Sequence, residues 1–399
     1  MPQFAQRITV MEGSATIIRQ LFAAMGDPGV ISFGGGAPAK EALPVEILRE
    51  IAADILTREA RGIEALQYGP PMGAPDLREV IASQLLAPKG VTASADTIMV
   101  VGGGLEAINL ICQLYLEPGD VVLVEKPTFV HCVEIFEMFQ ARCISCEMDE
   151  DGLIMEDVED KIRRYRPKIV YIIPTFQHPT GRTLSLSRRK RLAQLGSQYD
   201  TLILEDDPYR DIRYSGEDLP PIKAFDTTGH TVLANSFSKI LSPGSRLGYV
   251  VADEPIMAKL FDAKTATNSH TGMISQVLCA EFFKRGYYPG HHEAICNLYR
   301  ERRDSMLAAI KTFLPGDVYH TSPDGGLFIW LELPGGLDTA QLLPEAIHSH
   351  KVAYVDGAGF FTDCGGLGSN CMRISFGGVT PENIHQGMER LGRLIAAKL

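Results

Sequence analysis

Several reactive side chains recur in this chain at short, fixed spacings. Residues 235–239 read Asn-Ser-Phe-Ser-Lys, and Arg246 follows seven positions after Lys239 inside Pro-Gly-Ser-Arg-Leu-Gly. Asp206 and Tyr209 form an Asp-x-x-Tyr thirty-three positions before that lysine. Residues 175–181 read Thr-Phe-Gln-His-Pro-Thr-Gly around His178, and Gly102, Gly103 and Gly104 run together ahead of an apolar stretch. A lysine amine can form an imine, and a buried carboxylate can face a cation. Serine hydroxyls with an arginine can bind an anion. Glycine amides opening a helix do the same for phosphate and let it approach closely.

The elements around these residues explain why they would meet. Apolar runs at 97–101, 121–125, 141–148, 169–174, 201–206, 231–236 and 247–252 read as strands, with helical stretches between most of them. That alternation predicts an α/β domain with a mostly parallel sheet. Ligands in such sheets sit beyond the carboxyl ends of the strands. The glycine run, His178, Asp206 with Tyr209, and the Ser-Phe-Ser-Lys stretch each follow a strand end. From about Gly290 the pattern changes to a long helix, short strands and a final helix, a smaller α+β unit. The expected division is 1–44 as an arm associated with the small unit, with a short helix and the loop ISFGGGAPAKEALP. Residues 45–288 form the large unit and 289–399 the small one.

Pyridoxal 5′-phosphate uses this whole set: a lysine for the imine, a carboxylate at the ring nitrogen, and a phosphate cup. Lys239, Asp206, and Ser236 with Ser238 and Arg246 fit those roles. A rival reading takes Gly102-x-Gly104-x-x-Ala107, with Glu125 ending the next strand, as a dinucleotide fingerprint. A nicotinamide oxidoreductase leaves Lys239, Asp206 and Arg246 unexplained.

The sequence resembles the fold-type I pyridoxal-phosphate aminotransferases, and within them the 2-aminoadipate, kynurenine and aromatic aminotransferases. The resemblance runs from ISFGGGAPAKEALP through LQYGPPMGAPDLR and NSFSKILSPGSRLG to CMRISFG. It implies a large domain with a mostly parallel sheet and a smaller α+β domain. It implies a homodimer with shared sites and ping-pong transfer between an L-amino acid and a 2-oxo acid. Lys239 matches the Schiff-base lysine, Asp206 the ring-nitrogen partner in preference to Asp207, and Tyr209 the phenol near the ring's O3′. Ser236, Ser238 and Arg246 match phosphate ligands, and Gly103, Gly104 and Leu105 the phosphate cup. Phe129 takes the place of the aromatic residue that stacks on the ring. Tyr68 matches a tyrosine that reaches the neighbouring subunit's phosphate. Arg373 matches the arginine that grips the substrate α-carboxylate, and Gly35 and Gly36 the loop over the substrate. Arg19 aligns with an arginine that reads a second carboxylate in the 2-aminoadipate enzyme.

Two positions depart from the family pattern. Gly104 and Leu105 stand where serine and glutamine are common, so the cup relies on backbone amides. His178 replaces an asparagine that donates to O3′; a ring nitrogen can donate in its place, and simple replacement of one donor by another is the favoured reading, although the bulkier ring can also become charged, which would tune the imine's protonation.

The remaining features narrow the function class. A net charge of −11 argues against a nucleic-acid binder. No apolar run has the length of a membrane span, and no signal-peptide core is evident. With eight cysteines in 399 residues and no secretion signal, the thiols are expected to be reduced and the protein cytoplasmic. Cys143 and Cys146 lack the second pair that zinc would need, and the adjacent His291 and His292 diverge on a helix, so no metal site is expected. Tyr299 and Arg303 fit a structural helix face. Other outcomes of the same chemistry, β-elimination, decarboxylation or oxidation, remain rivals. A regulator with an aminotransferase-like effector domain would need a basic DNA-binding segment, for which the residues before EALPVEILRE leave no room.

Overall fold

A computed structural model describes residues 4, 5, 7, 8, 29–334, 336–362 and 366–399. Seven strands form the main sheet: β1 (Ile98–Val101), β2 (Val121–Glu125), β3 (Arg142–Cys146), β4 (Ile169–Ile172), β5 (Leu202–Asp206), β6 (Thr231–Ser236) and β7 (Gly248–Val251). They are β-branched and aliphatic almost throughout, and β1, β4, β5, β6 and β7 are buried along their whole length. Such continuous apolar runs suit a sheet covered on both faces.

The order across the sheet is β1-β7-β6-β5-β4-β2-β3. Pairs from β6 to β3 are parallel, whereas β7 runs antiparallel to both β1 and β6. That reversal brings the start of β7 to the edge where the other strands end: Gly248 is in register with both Val101 and Ser236. A side chain at Gly248 would sit 2.6 Å from the Asn235 carbonyl oxygen and 3.1 Å from the Gly103 backbone, so this crossing requires glycine.

The two faces follow from the period-2 alternation of strand side chains. Val122, Val124, Tyr171, Leu202 and Leu204 point into the larger core, whereas Leu123, Val170, Ile172 and Ile203 point into a second cluster. Helix α1 (Gly104–Tyr115) covers the first face with Ala107, Ile108, Leu110 and Ile111, all fully buried. Removing one such Leu or Ile side chain costs on the order of 2–5 kcal/mol. Asp206, four residues after Leu202, falls on this same face, and Glu205 on the other.

The C-terminal region builds an antiparallel sheet in the order β8-β9-β11-β10, from β8 (Tyr319–His320), β9 (Phe328–Glu332), β10 (Val355–Asp356) and β11 (Cys371–Ser375). Helices α2 (Tyr288–Phe313) and α3 (Pro381–Ala396) pack against one another beside it. Ile31–Ser32 pairs in parallel with Val352–Ala353. Phe33 then exchanges backbone hydrogen bonds with Ala353 and Ser375, each 2.8 Å. The chain after Phe33 is thereby laid across the junction of the two sheets. Among the described residues, no helix is long and apolar enough to cross a membrane.

Candidate active site

The carboxyl edge of the main sheet gathers the residues singled out by sequence. Lys239 follows β6, and its Nζ donates to the Gly36 carbonyl oxygen at 2.8 Å. The same ammonium stands 5.6 Å from the centre of the Tyr209 ring. Burial, with the charges of Arg373 and Arg246, pulls the Lys239 pKa down to about 8. An amine so placed is partly neutral near physiological pH, as a nucleophile and proton carrier must be.

Asp206 ends β5 on the larger-core face. Its Oδ2 accepts from the Tyr171 hydroxyl at 2.9 Å. Burial drives its pKa up to about 7, against the lowering effect of that hydrogen bond. No cation among the described residues is paired with it. Asp207 is committed elsewhere: it is fully buried and paired with Arg210 at 2.8 Å. Tyr209 is buried beside Phe328, and burial holds its phenol protonated. Tyr171 escaped the sequence reading; a lone tyrosine in the aliphatic run Ile-Val-Tyr-Ile-Ile was its signal.

The glycine turn closes the other end. Gly103 has φ +105°, a left-handed conformation that glycine adopts freely, and a Cβ there would lie 2.6 Å from Arg246 Nη2. That arginine nitrogen donates to the Gly102 carbonyl oxygen at 3.1 Å. Gly104 opens α1, and a Cβ on it would stand 3.8 Å from Asp206 Oδ1. The first N–H groups of a helix have no intrahelical acceptor. Across the turn, Ser236 Oγ donates to Ser238 Oγ at 2.8 Å. Leu105 is two-fifths exposed beside them.

Arg373 comes from β11, across the junction. Its Nη1 donates to His178 Nε2 at 2.9 Å, its Nη2 donates to the Gly34 carbonyl oxygen, and its buried Nε has no protein partner. Because a guanidinium only donates, His178 Nε2 must be the acceptor, and the neutral ring carries its proton on Nδ1. That Nδ1–H is buried and has no partner among the described residues. Burial and the neighbouring charges of Arg373, Lys239 and His131 push the His178 pKa well below its usual range. Of the two readings the sequence allows for His178, a charged group or a plain substitute donor, this environment favours the neutral donor. Phe129, Phe328 and Phe360 meet its ring edge-on at 4.9, 4.5 and 5.5 Å between centroids.

Other expected residues fall as follows. Tyr68 is exposed, at 86%, with its ring 5.6 Å from that of His270. Arg19 and the short helix expected in the first forty residues lie outside the described residues, apart from a turn at Arg7–Ile8. His291 and His292 bond separate backbone carbonyls, of Ile240 and Asp211. Tyr299 accepts from Ala39 N–H and Arg303 donates to the Pro323 carbonyl, both structural contacts. Cys143 and Cys146 are free thiols on β3.

Residues 28–391 match the family model for aminotransferase class I and II. The chain belongs to the class I and II aminotransferases. It is 38% identical to an aromatic-amino-acid aminotransferase of Thermococcus litoralis, covering 99% of this chain and 94% of that one. It is 35% identical to a 2-aminoadipate transaminase of Thermus thermophilus, covering 96% and 95% respectively. The crystal structure of a Pyrococcus horikoshii kynurenine aminotransferase, in complex with PMP and kynurenine, superposes with a TM-score of 0.93 at 36% identity, over 99% of this chain and 97% of that one. The protein is thus a transaminase of the pyridoxal-phosphate-dependent, fold-type I kind. Its own residues fit that cofactor: the bare Gly103–Gly104 cradle, the buried Asp206 carboxylate without a cation and the unpartnered His178 Nδ1–H are a complementary set.

Proposed function

We propose that this aminotransferase takes its amino group from aromatic L-amino acids, with long aliphatic and 2-aminoadipate-like donors as weaker substrates, and passes it to a 2-oxo acid. The observation that carries this reading is one buried guanidinium, Arg373, which lies 4.6 Å over the Phe328 ring and bonds His178, whose own ring meets Phe129, Phe328 and Phe360. A carboxylate exchanging with the contacts of Arg373 gains a two-pronged, charge-assisted hydrogen bond. The aromatic walls favour a flat apolar side chain on the same molecule. The relatives that act on aromatic amino acids, kynurenine and 2-aminoadipate support the same substrate class.

In this reading Lys239 would hold the cofactor and, as a free amine, would carry the proton removed from the α-carbon. Its lowered pKa lets it accept and return that proton near neutrality. Bound pyridoxal phosphate supplies an electron-poor ring that accepts the electron pair left behind. Asp206, oriented by Tyr171, keeps the ring nitrogen protonated. Tyr209 and His178 would present O–H and N–H donors, respectively, to the ring's oxygen, and Phe129 would stack on the ring. Ser236, Ser238, Arg246 and the amides of Gly103, Gly104 and Leu105 take the phosphate. Gly36, whose carbonyl holds Lys239, covers the substrate side.

A homodimer completes the proposal. Ile63, Leu66 and Tyr68 are exposed in succession, and Ile274 and Leu105 are exposed as well. In this proposal a second copy covers them, and Tyr68 serves the partner's phosphate cup, as the resemblance implies. The division into 45–288 and 289–399, with the arm before it, is supported by the separate sheets and by the pairing of Ile31–Ser32 with Val352–Ala353. A cytoplasmic setting is supported by the seven free cysteines among the described residues.

The test is a panel of amino donors with 2-oxoglutarate or pyruvate as acceptor. Aromatic donors should give the highest kcat/KM. Preference for aspartate or alanine would overturn the substrate class, and release of ammonia or carbon dioxide would favour elimination, oxidation or decarboxylation.

A further inference from the structure

Glu106 sits in the first turn of α1, where the helix dipole favours a carboxylate. That is also the end of the helix read as the phosphate cup, and a carboxylate there opposes a phosphate dianion. The structure shows how the conflict is resolved. Glu106 Oε2 accepts the Gly102 N–H. Its Oε1 accepts from Lys264 Nζ at 2.6 Å and from Asn268 Nδ2 at 2.9 Å. The Lys264 side chain is 0% exposed, so its charge acts on this carboxylate with little screening by water. Its Nζ also donates to Thr271 Oγ1 at 2.8 Å, and that hydroxyl donates to the Val100 carbonyl oxygen at 3.2 Å. The network therefore starts on β1 and returns to the residue after it. Gly102 is gripped from both sides, its N–H by Glu106 and its carbonyl by Arg246.

We propose that Lys264 and Glu106 are a positioning pair for the phosphate-binding turn: Glu106 fixes the glycine backbone, and Lys264 cancels the charge that would otherwise repel the cofactor's phosphate. The proposal rests on reading the Gly103–Gly104 turn as the phosphate cup. The pair reaches the turn through the bond from Gly102 N–H to Glu106. Burial lowers the pKa of Lys264, and the bond to Glu106 holds it up. Lysine without its glutamate, or glutamate without its lysine, is thus a buried or half-buried charge left uncompensated.

The test compares two ligands on the cofactor-free protein, followed by absorbance: pyridoxal 5′-phosphate, and pyridoxal, which lacks the phosphate. Lys264→Met leaves the carboxylate bare. It should weaken pyridoxal phosphate by about tenfold or more while moving pyridoxal less than about twofold. The double variant Lys264→Met/Glu106→Gln removes both charges and should recover most of the loss. Glu106→Gln alone keeps an acceptor for Gly102 N–H and removes a negative charge from the turn, so its pyridoxal phosphate affinity should match or exceed wild type whether or not Lys264 stays protonated. Equal weakening of both ligands would overturn the proposal in favour of a purely structural pair. So would a double variant no better than Lys264→Met, or a Glu106→Gln variant that binds more weakly. A wild-type protein that binds the two ligands equally well would instead remove the phosphate-cup reading itself. If Lys264→Met does not fold, the Glu106→Gln comparison still decides.

Discussion

Replacing Asp206 by asparagine separates two effects that the structure sets against each other. In the cofactor-free protein the carboxylate is buried with only the Tyr171 hydroxyl to answer it. Its pKa rises from 3.8 to about 7, with burial as the main cause. At 1.36 kcal/mol per unit, about three units correspond to ~4 kcal/mol that folding loses once the group is ionised. The sign follows from the direction of the shift. The penalty is absent below the ordinary pKa of 3.8, grows as pH rises, and is complete above about 7. Asparagine keeps an acceptor for Tyr171 and never ionises. Cofactor-free Asp206→Asn should therefore be more stable than cofactor-free wild type by up to ~4 kcal/mol at about pH 8 and by less than ~2 kcal/mol at about pH 5. Glu205, also buried with a raised pKa, is the same in both proteins and drops out of the difference, whereas Glu125, whose pKa the Asp206 charge helps to raise, is relieved in the variant and adds to the difference in the same direction. The assay is urea unfolding of the stripped proteins at the two pH values. With cofactor bound the order should invert, and kcat should fall on the order of a hundredfold or more, because the carboxylate then has its cation. Equal stabilities of the stripped proteins at both pH values would refute the reasoning. A dead Asp207→Ala beside a near-normal Asp206→Ala would show that the wrong neighbour had been chosen.

Lys239→Ala should abolish turnover and the borohydride-trappable adduct; an adduct that persists would place the covalent link on another lysine. In wild type, the rate of reconstitution with pyridoxal phosphate should climb with pH and level off near the Lys239 pKa of about 8, well short of an ordinary lysine's range. Arg373→Leu should raise KM for amino donors by on the order of a hundredfold while leaving cofactor affinity nearly unchanged; equal losses in both would make Arg373 structural. His178→Asn should retain activity and leave the spectral pH titration of the bound cofactor unmoved between about pH 6 and 8, because His178 stays neutral there; a displaced curve would mean that the imidazole titrates.

Much of the site could be read from the chain because each polar group directly follows a strand. Lys239, Asp206, His178 and the glycine turn each stand within a few residues of a strand's end, and a parallel sheet brings such ends together. Direction was not legible for β7. The run Leu-Gly-Tyr-Val-Val-Ala is buried on both faces and reads alike either way, yet only the antiparallel course puts Arg246 beside Gly102. The choice of Asp206 over Asp207 came from the resemblance; in the structure it follows from the pleat, which aims Asp206 at Tyr171, and from the pairing of Asp207 with Arg210. The charge state of His178 depends on Arg373, 195 positions away, and no local pattern carries that contact. The Glu106–Lys264 pair is likewise long-range, and in the sequence each residue resembles an ordinary solvated helix charge.

The central claim is that one buried lysine and one buried arginine carry out amino transfer from an aromatic donor. A single-turnover experiment without any acceptor tests it most directly. Cofactor-loaded protein is mixed with excess L-phenylalanine, quenched, and assayed by mass spectrometry for 2-oxo acid, ammonia and carbon dioxide. The account predicts one equivalent of phenylpyruvate per active site and then arrest, with further product only after a 2-oxo acid is added. Continued release of ammonia or carbon dioxide without an acceptor, or no phenylpyruvate at all, would contradict it.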